Sequence, residues 1–347
     1  MNTSSVTNST SGIPATNALS PSEQIGKVFA LAVIFVVSLV GNALIIITIS
    51  KYKALQKSIN YFILNMAVSD LILTLVTIPM LISKQIVGNR WLIKGMAGLV
   101  LCKTSLFLSD ISPVVSILSL VFMSFDRFVA VVFPLWKLTS KTRVILNMTT
   151  WIIACAFYSP YFHGFKIVDE QCILFWGVNH ITFNTVYWMV NAVTFIILPF
   201  AIITIFYVAI FIELRRQLKK SKGMMANSHT LRQKQNRKIA KLAFCIVFAF
   251  GICYGPLNLV IVMMQNFVFK WKRNPGHEFQ QWYFVSQLFS FLNAAINPII
   301  CIYFNRNLYQ SLRSWVCGKS NQESNQEALR LSNAQQSKMK NLPTTHR

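Results

Sequence analysis

Residues 28–50 read VFALAVIFVVSLVGNALIIITIS, 23 residues without a single charge. A bilayer core takes about 20 mostly apolar residues to cross as a helix, so this stretch alone points to a membrane. Working outward, charge-free windows of comparable length recur at 144–165, 242–269 and 279–305. The windows 58–83 and 104–125 each carry one acid, Asp70 and Asp110. The window 171–212 is too long for one helix and polar at its start, at Gln171, Asn179, His180 and Asn184. It predicts a loop followed by a span near 184–212. The pattern predicts an all-α membrane protein, a seven-transmembrane helix bundle over 25–304. Residues 1–24 are polar and predict a tail, and the apolar run behind them is too long for the core of a cleavable signal peptide.

Composition agrees. Hydrophobic residues make up 54% of the chain and charged residues 12%, about half the ~25% charged content of a soluble domain. A soluble protein of this size has nowhere to bury 27 Phe, and a disordered chain is excluded on the same ground. Seven Cys, odd and thinly spread, are no disulfide scaffold. A net charge of +23 would suggest nucleic acid only if it were gathered on one soluble face. Instead, 24 of the 33 Lys and Arg fall in 51–57, 127–143, 215–241 and 306–347. The positive-inside bias places these segments in the cytoplasm and the N-terminus outside. The charge then serves topology and attraction to membrane lipids, with no nucleic-acid partner. In that orientation the sequons at Asn2 and Asn8 are glycosylation candidates in the outer tail, whereas the one at Asn147 sits at the inner end of the fourth span and is not expected to be used.

Polar groups inside a bilayer are costly, so each one needs a reason. Here they recur at one place in each span. Gly41-Asn42 lies in the first and Leu64-Asn65-Met66-Ala67-Val68-Ser69-Asp70 in the second. Asp126-Arg127-Phe128 ends the third, Trp151 sits in the fourth, and Pro199 with Tyr207 marks the fifth. Phe250 and Cys253-Tyr254-Gly255-Pro256 mark the sixth, Asn293 and Asn297-Pro298 the seventh. With Cys102 and Cys172, this set resembles the rhodopsin-like G protein-coupled receptors over about 28–317. The run Ile59-Asn60-Tyr61-Phe62-Ile63-Leu64-Asn65 is most similar to the neuropeptide-binding branch. The resemblance implies a plasma-membrane receptor that binds an extracellular peptide ligand, activates heterotrimeric G proteins at its cytoplasmic face and is recognised there by arrestin.

The resemblance also implies roles for particular residues. Asp70 at mid-membrane, with Asn42, Ser116, Asn293 and Asn297 around it, matches the family's allosteric sodium site; the alternative is a protonated Asp70 acting as interhelical glue. No other cofactor is implied. Arg127, beside Asp126 and Phe128, matches the arginine that meets the G protein, and Tyr207 matches the tyrosine that contacts a seventh-span tyrosine through water in the active state; the alternative for Arg127 is a snorkelling interfacial arginine. Ile117, Pro199 and Phe250 match the packing switch, extended by Tyr254, Pro256 and Pro298. Cys102 and Cys172 match the family's loop-to-helix disulfide.

Three departures stand out. Tyr254 replaces the usual Trp. Asn236 stands where many relatives carry an acid facing Arg127. Cys301 takes the place of the tyrosine after Asn297-Pro298, and Tyr303 comes two residues later, a rotation of about 200°. Raised basal signalling is the expectation. Asn305 to Val316 reads as an amphipathic interfacial helix within 305–317, ending at Cys317, a palmitoylation candidate. Residues 318–347 predict a disordered cytoplasmic tail.

Rival classes fail on residues. No HExxH, GxSxG or phosphate-binding glycine loop is present, so no enzyme is predicted. A transporter or channel would be expected to show internal repeats or paired mid-membrane acids. An opsin needs a lysine in the seventh span, where Phe291 stands. For the ligand, counting from Cys102 and back from Arg127 places Ser109 where amine receptors carry their ammonium-binding Asp. Asp110 is one residue along, rotated about 100°, and is expected to point elsewhere. Ser109, Asp110, Tyr254, Glu278 and Phe291 are the pocket candidates. A wide mouth of mixed charge favours a neuropeptide, with a biogenic amine at Asp110 as the alternative.

Overall fold

A computed structural model describes residues 20–56, 59–133, 135–136, 138–177, 180–221, 227–271 and 277–316. The long helices are α1 (Pro21–Lys51), α2 (Asn60–Val87), α3 (Gly95–Val132) and α4 (Ser140–Tyr158). A short α5 (Tyr161–Gly164) leads into a hairpin of β1 (Phe165–Val168) and β2 (Gln171–Leu174). Then come α6 (His180–Ala192), a π-helical turn (Val193–Ile197) and α7 (Leu198–Ser221), which run on as one rod. The chain continues through α8 (Asn227–Trp271), α9 (His277–Phe304) and α10 (Arg306–Val316).

Local chemistry sets the ends. Ser20 caps α1 by accepting from the Glu23 amide at 3.3 Å, with Pro21 at the first helical position. Gly88, at φ 73°, ends α2. Thr139 caps α4 through the Thr142 amide at 3.1 Å. The π turn has a cause in Pro199. Its nitrogen cannot donate to the carbonyl four residues back, and its ring crowds that carbonyl, so the preceding turn widens.

Packing is inverted relative to a soluble protein. On α1, Phe29, Val33, Val36 and Val40 are exposed, whereas Ser38, Asn42 and Thr48 are buried. Apolar side chains outward and polar ones inward suit hydrocarbon as the solvent. Six described helical runs are long and apolar enough to cross a membrane. The remaining long helix, α4, opens Ser140-Lys141-Thr142-Arg143, and this polar first turn sets it apart. α1 and α9 approach closely: a Cβ on Gly41 would lie 2.9 Å from the Pro298 ring. At about 1.5 Å per residue, the 45 residues of α8 extend well past a ~30 Å hydrocarbon core, and the basic residues of 230–241 fall in its first half.

Several boundaries differ from the sequence reading. α1 begins at Pro21, inside the stretch read as tail, because Ser20-Pro21 is a helix start. α4 stops at Tyr158, short of its charge-free window, at the break where Pro160 has no amide hydrogen to continue the helical ladder. The outer loop is a hairpin, which charge counting cannot see. Asn2, Asn8, Cys317 and 318–347 lie outside the described residues.

The hairpin turns at Asp169 and Glu170, with φ 48° and 57°, the positive pair that matches strand twist. It is fastened twice. Cys172 is bonded to Cys102 of α3, and Glu170 accepts from Lys94 at 2.7 Å and Arg90 at 2.8 Å while its carbonyl takes the Trp91 amide at 2.6 Å. Lys94, then Arg90, hold the Glu170 carboxyl below its usual range. This ionic tether is therefore complete above the ordinary value of 4.5 and is lost as pH falls through the lower folded value. Glu170→Gln is expected to speed hydrogen exchange across 89–98 and 165–174 while leaving the helices unchanged; equal exchange in both proteins would show that the disulfide alone holds the hairpin.

Candidate functional site

Three polar assemblies occupy successive depths of the bundle. The first lines a cavity of about 470 Å³ at the hairpin end, within the range of ligand sites. α3 contributes Ser109, Asp110 and Ile117, α8 contributes Phe250 and Tyr254, and α9 contributes Tyr283 and Phe291. Asp110 is the one acid and Lys84 the one lysine among the described lining residues. Asp110 Oδ2 accepts the Tyr161 hydroxyl at 2.6 Å. Tyr161 packs edge-on against Tyr158 and Phe165, and Tyr158 donates to Asn191 at 2.7 Å. The carboxylate thus sits in an aromatic wall with one oxygen held and positioned. A cation is the natural guest for such a wall.

The expectation that Asp110 points away from the pocket is corrected here. Ser109 and Asp110 both line the cavity, because it wraps round α3 toward α4 and α5 and covers more than the 100° that separates them. Ser109 is spent on its neighbours, accepting from Thr77 at 2.7 Å and donating to the Ser105 carbonyl at 2.8 Å. Phe291 is buried in the cavity wall. Glu278 is exposed at the start of α9 and is not among the lining residues. Tyr158, Tyr161 and Tyr283 were missed by sequence reasoning. The only signal was Tyr158-Ser-Pro-Tyr161 at a helix end, which carries no chemistry by itself.

Beneath the cavity, Tyr254 stacks on Phe250 with ring centroids 4.3 Å apart. Phe250 meets Phe200 beside Pro199, and Ile117 is packed in the same core. The second assembly lies against this layer. Asp70 Oδ2 accepts from Asn297 at 2.9 Å and Oδ1 from Ser116 at 3.3 Å; among the described residues no cation pairs with it. Asn293, one turn before Asn297 on α9, is fully buried with both amide atoms lacking a hydrogen-bond partner, and Asn297 Oδ1 lacks one too. A buried carboxylate, two unpartnered amide oxygens and a hydroxyl are oxygen donors short of positive charge, which suits a small hard cation. Asn42 donates through Nδ2 to the Ala294 carbonyl at 2.9 Å and to the Ser38 carbonyl at 2.9 Å, so it joins α1 to α9.

The third assembly lies at the other end of α3. Arg127 donates to Asp126 Oδ2 through Nε at 3.1 Å and also through Nη2, and Arg143 of α4 donates to Oδ1 at 2.8 Å. One buried carboxylate therefore holds two guanidiniums. The sequence paired Asp126 with Arg127, but Arg143 had no motif to reveal it. Phe128 stacks on Phe206, and Tyr207 packs with Val131 and Ile210. Tyr303 is 80% exposed while Cys301 is buried, in keeping with the two-residue offset. The side chain of Asn236 lies outside the described residues.

Comparison with known proteins bears on the whole bundle. The family described as "7 transmembrane receptor (rhodopsin family)" matches residues 41–301. The human neuromedin-U receptor 1 is 28% identical over 309 residues, covering 82% of this chain and 71% of the relative. A QRFP-like peptide receptor of Branchiostoma floridae is 26% identical over 324 residues, covering 89% and 82%. The pyroglutamylated RF-amide peptide receptor of Rattus norvegicus is 26% identical over 310 residues, covering 83% and 70%.

Removing one partner of a buried ion pair costs about 3–5 kcal/mol, and Asp126 is almost wholly buried. Arg143→Ala is expected to lower the melting temperature of the detergent-purified protein by several degrees, with Arg143→Lys recovering part of the loss. An unchanged melting temperature for Arg143→Ala would show that Arg127 alone suffices for Asp126.

Proposed function

The chain belongs to the rhodopsin family of seven-transmembrane receptors, and from that premise we propose that it is the receptor for an extracellular peptide, with its N-terminus outside the cell. It is a multi-pass receptor of the plasma membrane and not an enzyme. The observation that carries the peptide reading is the aromatic cavity with one positioned carboxylate, Asp110, at the hairpin end. Two of the relatives are named for peptides of the RF-amide or QRFP type. A cationic side chain such as arginine suits the free oxygen of Asp110, and the tyrosines supply faces for an aromatic neighbour. The orientation rests on the basic segments, which the bias toward the cytoplasm gathers at the Arg127 end.

At that end, release of Arg127 from Asp126 exposes a guanidinium to the G protein, with 215–221 and α8 flanking it. The tail's Ser320, Ser324, Ser332, Ser337, Thr344 and Thr345 serve arrestin recruitment after phosphorylation, and Cys317 and the basic segments engage lipid. Ligand binding and G-protein binding are linked through α3, which carries Asp110 near its middle and Arg127 in its last two turns.

Asp70, Ser116, Asn293 and Asn297 would hold a sodium ion, which when bound supplies the positive charge that the buried carboxylate lacks. The purified receptor is expected to melt higher in sodium than in choline chloride, and Asp70→Asn or Asn293→Ala is expected to abolish the difference. In choline, Asn293→Ala is expected to cost little, since it removes two unpartnered polar atoms. Equal melting of the unmutated receptor in both salts would leave Asp70 as interhelical glue.

A second reading has one observation in its favour: Asp110 does line the cavity, so it could take the ammonium of a biogenic amine. A broad neuropeptide library and a panel of biogenic amines, read with a G-protein biosensor in transfected cells, separate the two. Peptide activation weakened about 10- to 100-fold by Asp110→Asn is the expected result. Activation by an amine and by no peptide would overturn the peptide reading.

A further inference from the structure

A second cavity of about 400 Å³ opens beside the first, between the ends of α2 and α3, the 89–93 connection and β2. Met80, Lys84 and Leu106 belong to both cavities, so they form the partition between them. The walls of the side chamber are otherwise mostly apolar, with Trp91, Leu92, Ile93, Cys172 and Ile173, and Ser83, Asn89 and Gln171 add neutral polar groups. Its ionisable lining residues, among those described, are Lys84 and Arg90, with no acid. These two lysine and arginine side chains differ in what they are free to do. Arg90 is committed to Glu170 through Nε and Nη2. Lys84 is exposed to the cavities and makes no hydrogen bond or ion pair with the described residues.

We propose that the side chamber is a second subsite of the ligand, in which Lys84 receives a carboxylate and the apolar walls receive the hydrophobic group beside it. The proposal rests on the peptide reading above. Among its described lining residues the main cavity has one acid, Asp110, and one lysine, Lys84, on different walls. A ligand with a single cation satisfies only Asp110 and leaves an ammonium facing a largely apolar chamber, which is costly once water is displaced. A peptide with both a cation and a carboxylate answers both charges, and its charge pattern fixes which way round it lies. The chamber also ties recognition to the hairpin, because Gln171, Cys172 and Ile173 of β2 line it. The carboxylate can come from a Glu or Asp side chain or from a free C-terminus.

The test uses the full-length receptor in cells, with surface expression measured for every variant. Synthetic peptide pools, each with one fixed Arg, are made in four arms: Glu or Gln at a scanned position, combined with a C-terminal amide or free acid. Activating peptides are expected only among arms that carry a carboxylate, with potency falling about 10- to 100-fold on Lys84→Gln. A requirement for Glu in amidated peptides assigns a side chain to Lys84; activity of Gln peptides as free acids only assigns the C-terminus. Lys84→Glu is expected to shift preference toward peptides with Lys in place of that Glu. If neutral amidated Gln peptides match the others and Lys84→Gln leaves their potency unchanged, the subsite is overturned while the peptide reading stands. If no arm activates and an amine does, both fall.

Discussion

A polar side chain inside a bilayer has no water to turn to, and this one constraint organises the bundle. Many of the buried polar groups are matched to a group on another helix. Asn65 of α2 donates to Ser119 of α3 and Thr150 of α4 and accepts the Trp151 indole at 2.8 Å. Asn147 of α4 donates to the Tyr61 carbonyl at 2.9 Å. Ser38 and Thr74 pair at 2.6 Å between α1 and α2. Without an apolar driving force between helices in lipid, such bonds and close packing hold them in register. Beside Asp70, both amide atoms of Asn293 and the Oδ1 of Asn297 depart from this matching.

The same constraint explains what could be read from the chain and what could not. Spans are legible because a charge-free run of 23 residues such as 28–50 has one physical home. The deep polar residues are legible because each stands out against its apolar neighbours. Asp110 was found but misdirected: helical rotation says how far apart two side chains point, not how wide a cavity is. Arg143 and Tyr161 were invisible, since a basic residue in a first helical turn and a tyrosine after a proline are ordinary in sequence. Their meaning comes from the carboxylates they meet, Asp126 and Asp110, 17 and 51 residues away. The hairpin was missed because its eight strand residues sit among charges that read as loop.

Among the described residues, α3 is the one element that supplies side chains to all three assemblies. It supplies Asp110 to the cavity, Ser116 to the Asp70 layer and Arg127 to the opposite end. Its upper half is fixed by the disulfide to β2, its lower half by the shared carboxylate of Asp126. A ligand that displaces the Tyr161–Asp110 contact acts on a helix already pinned at both ends, so its effect is transmitted as a small rotation or slide between two packings. The aromatic stack of Phe250 on Tyr254 lies where such a shift is felt first.

The wide turn before Pro199 carries a consequence for helical phase. A π turn inserts one residue into an otherwise regular rod, so everything on its N-terminal side is advanced by about 100° relative to a plain helix. Asn184, Trp188 and Asn191 face the cavity only because of that extra residue. An α-helical wheel drawn backward from α7 would assign them to lipid, and a single-residue deletion between Val193 and Ile197 would make that assignment true. Chain length within these five positions therefore selects which face of the fifth span the ligand meets, and an insertion or deletion there changes specificity by turning Asn184, Trp188 and Asn191 rather than by replacing them.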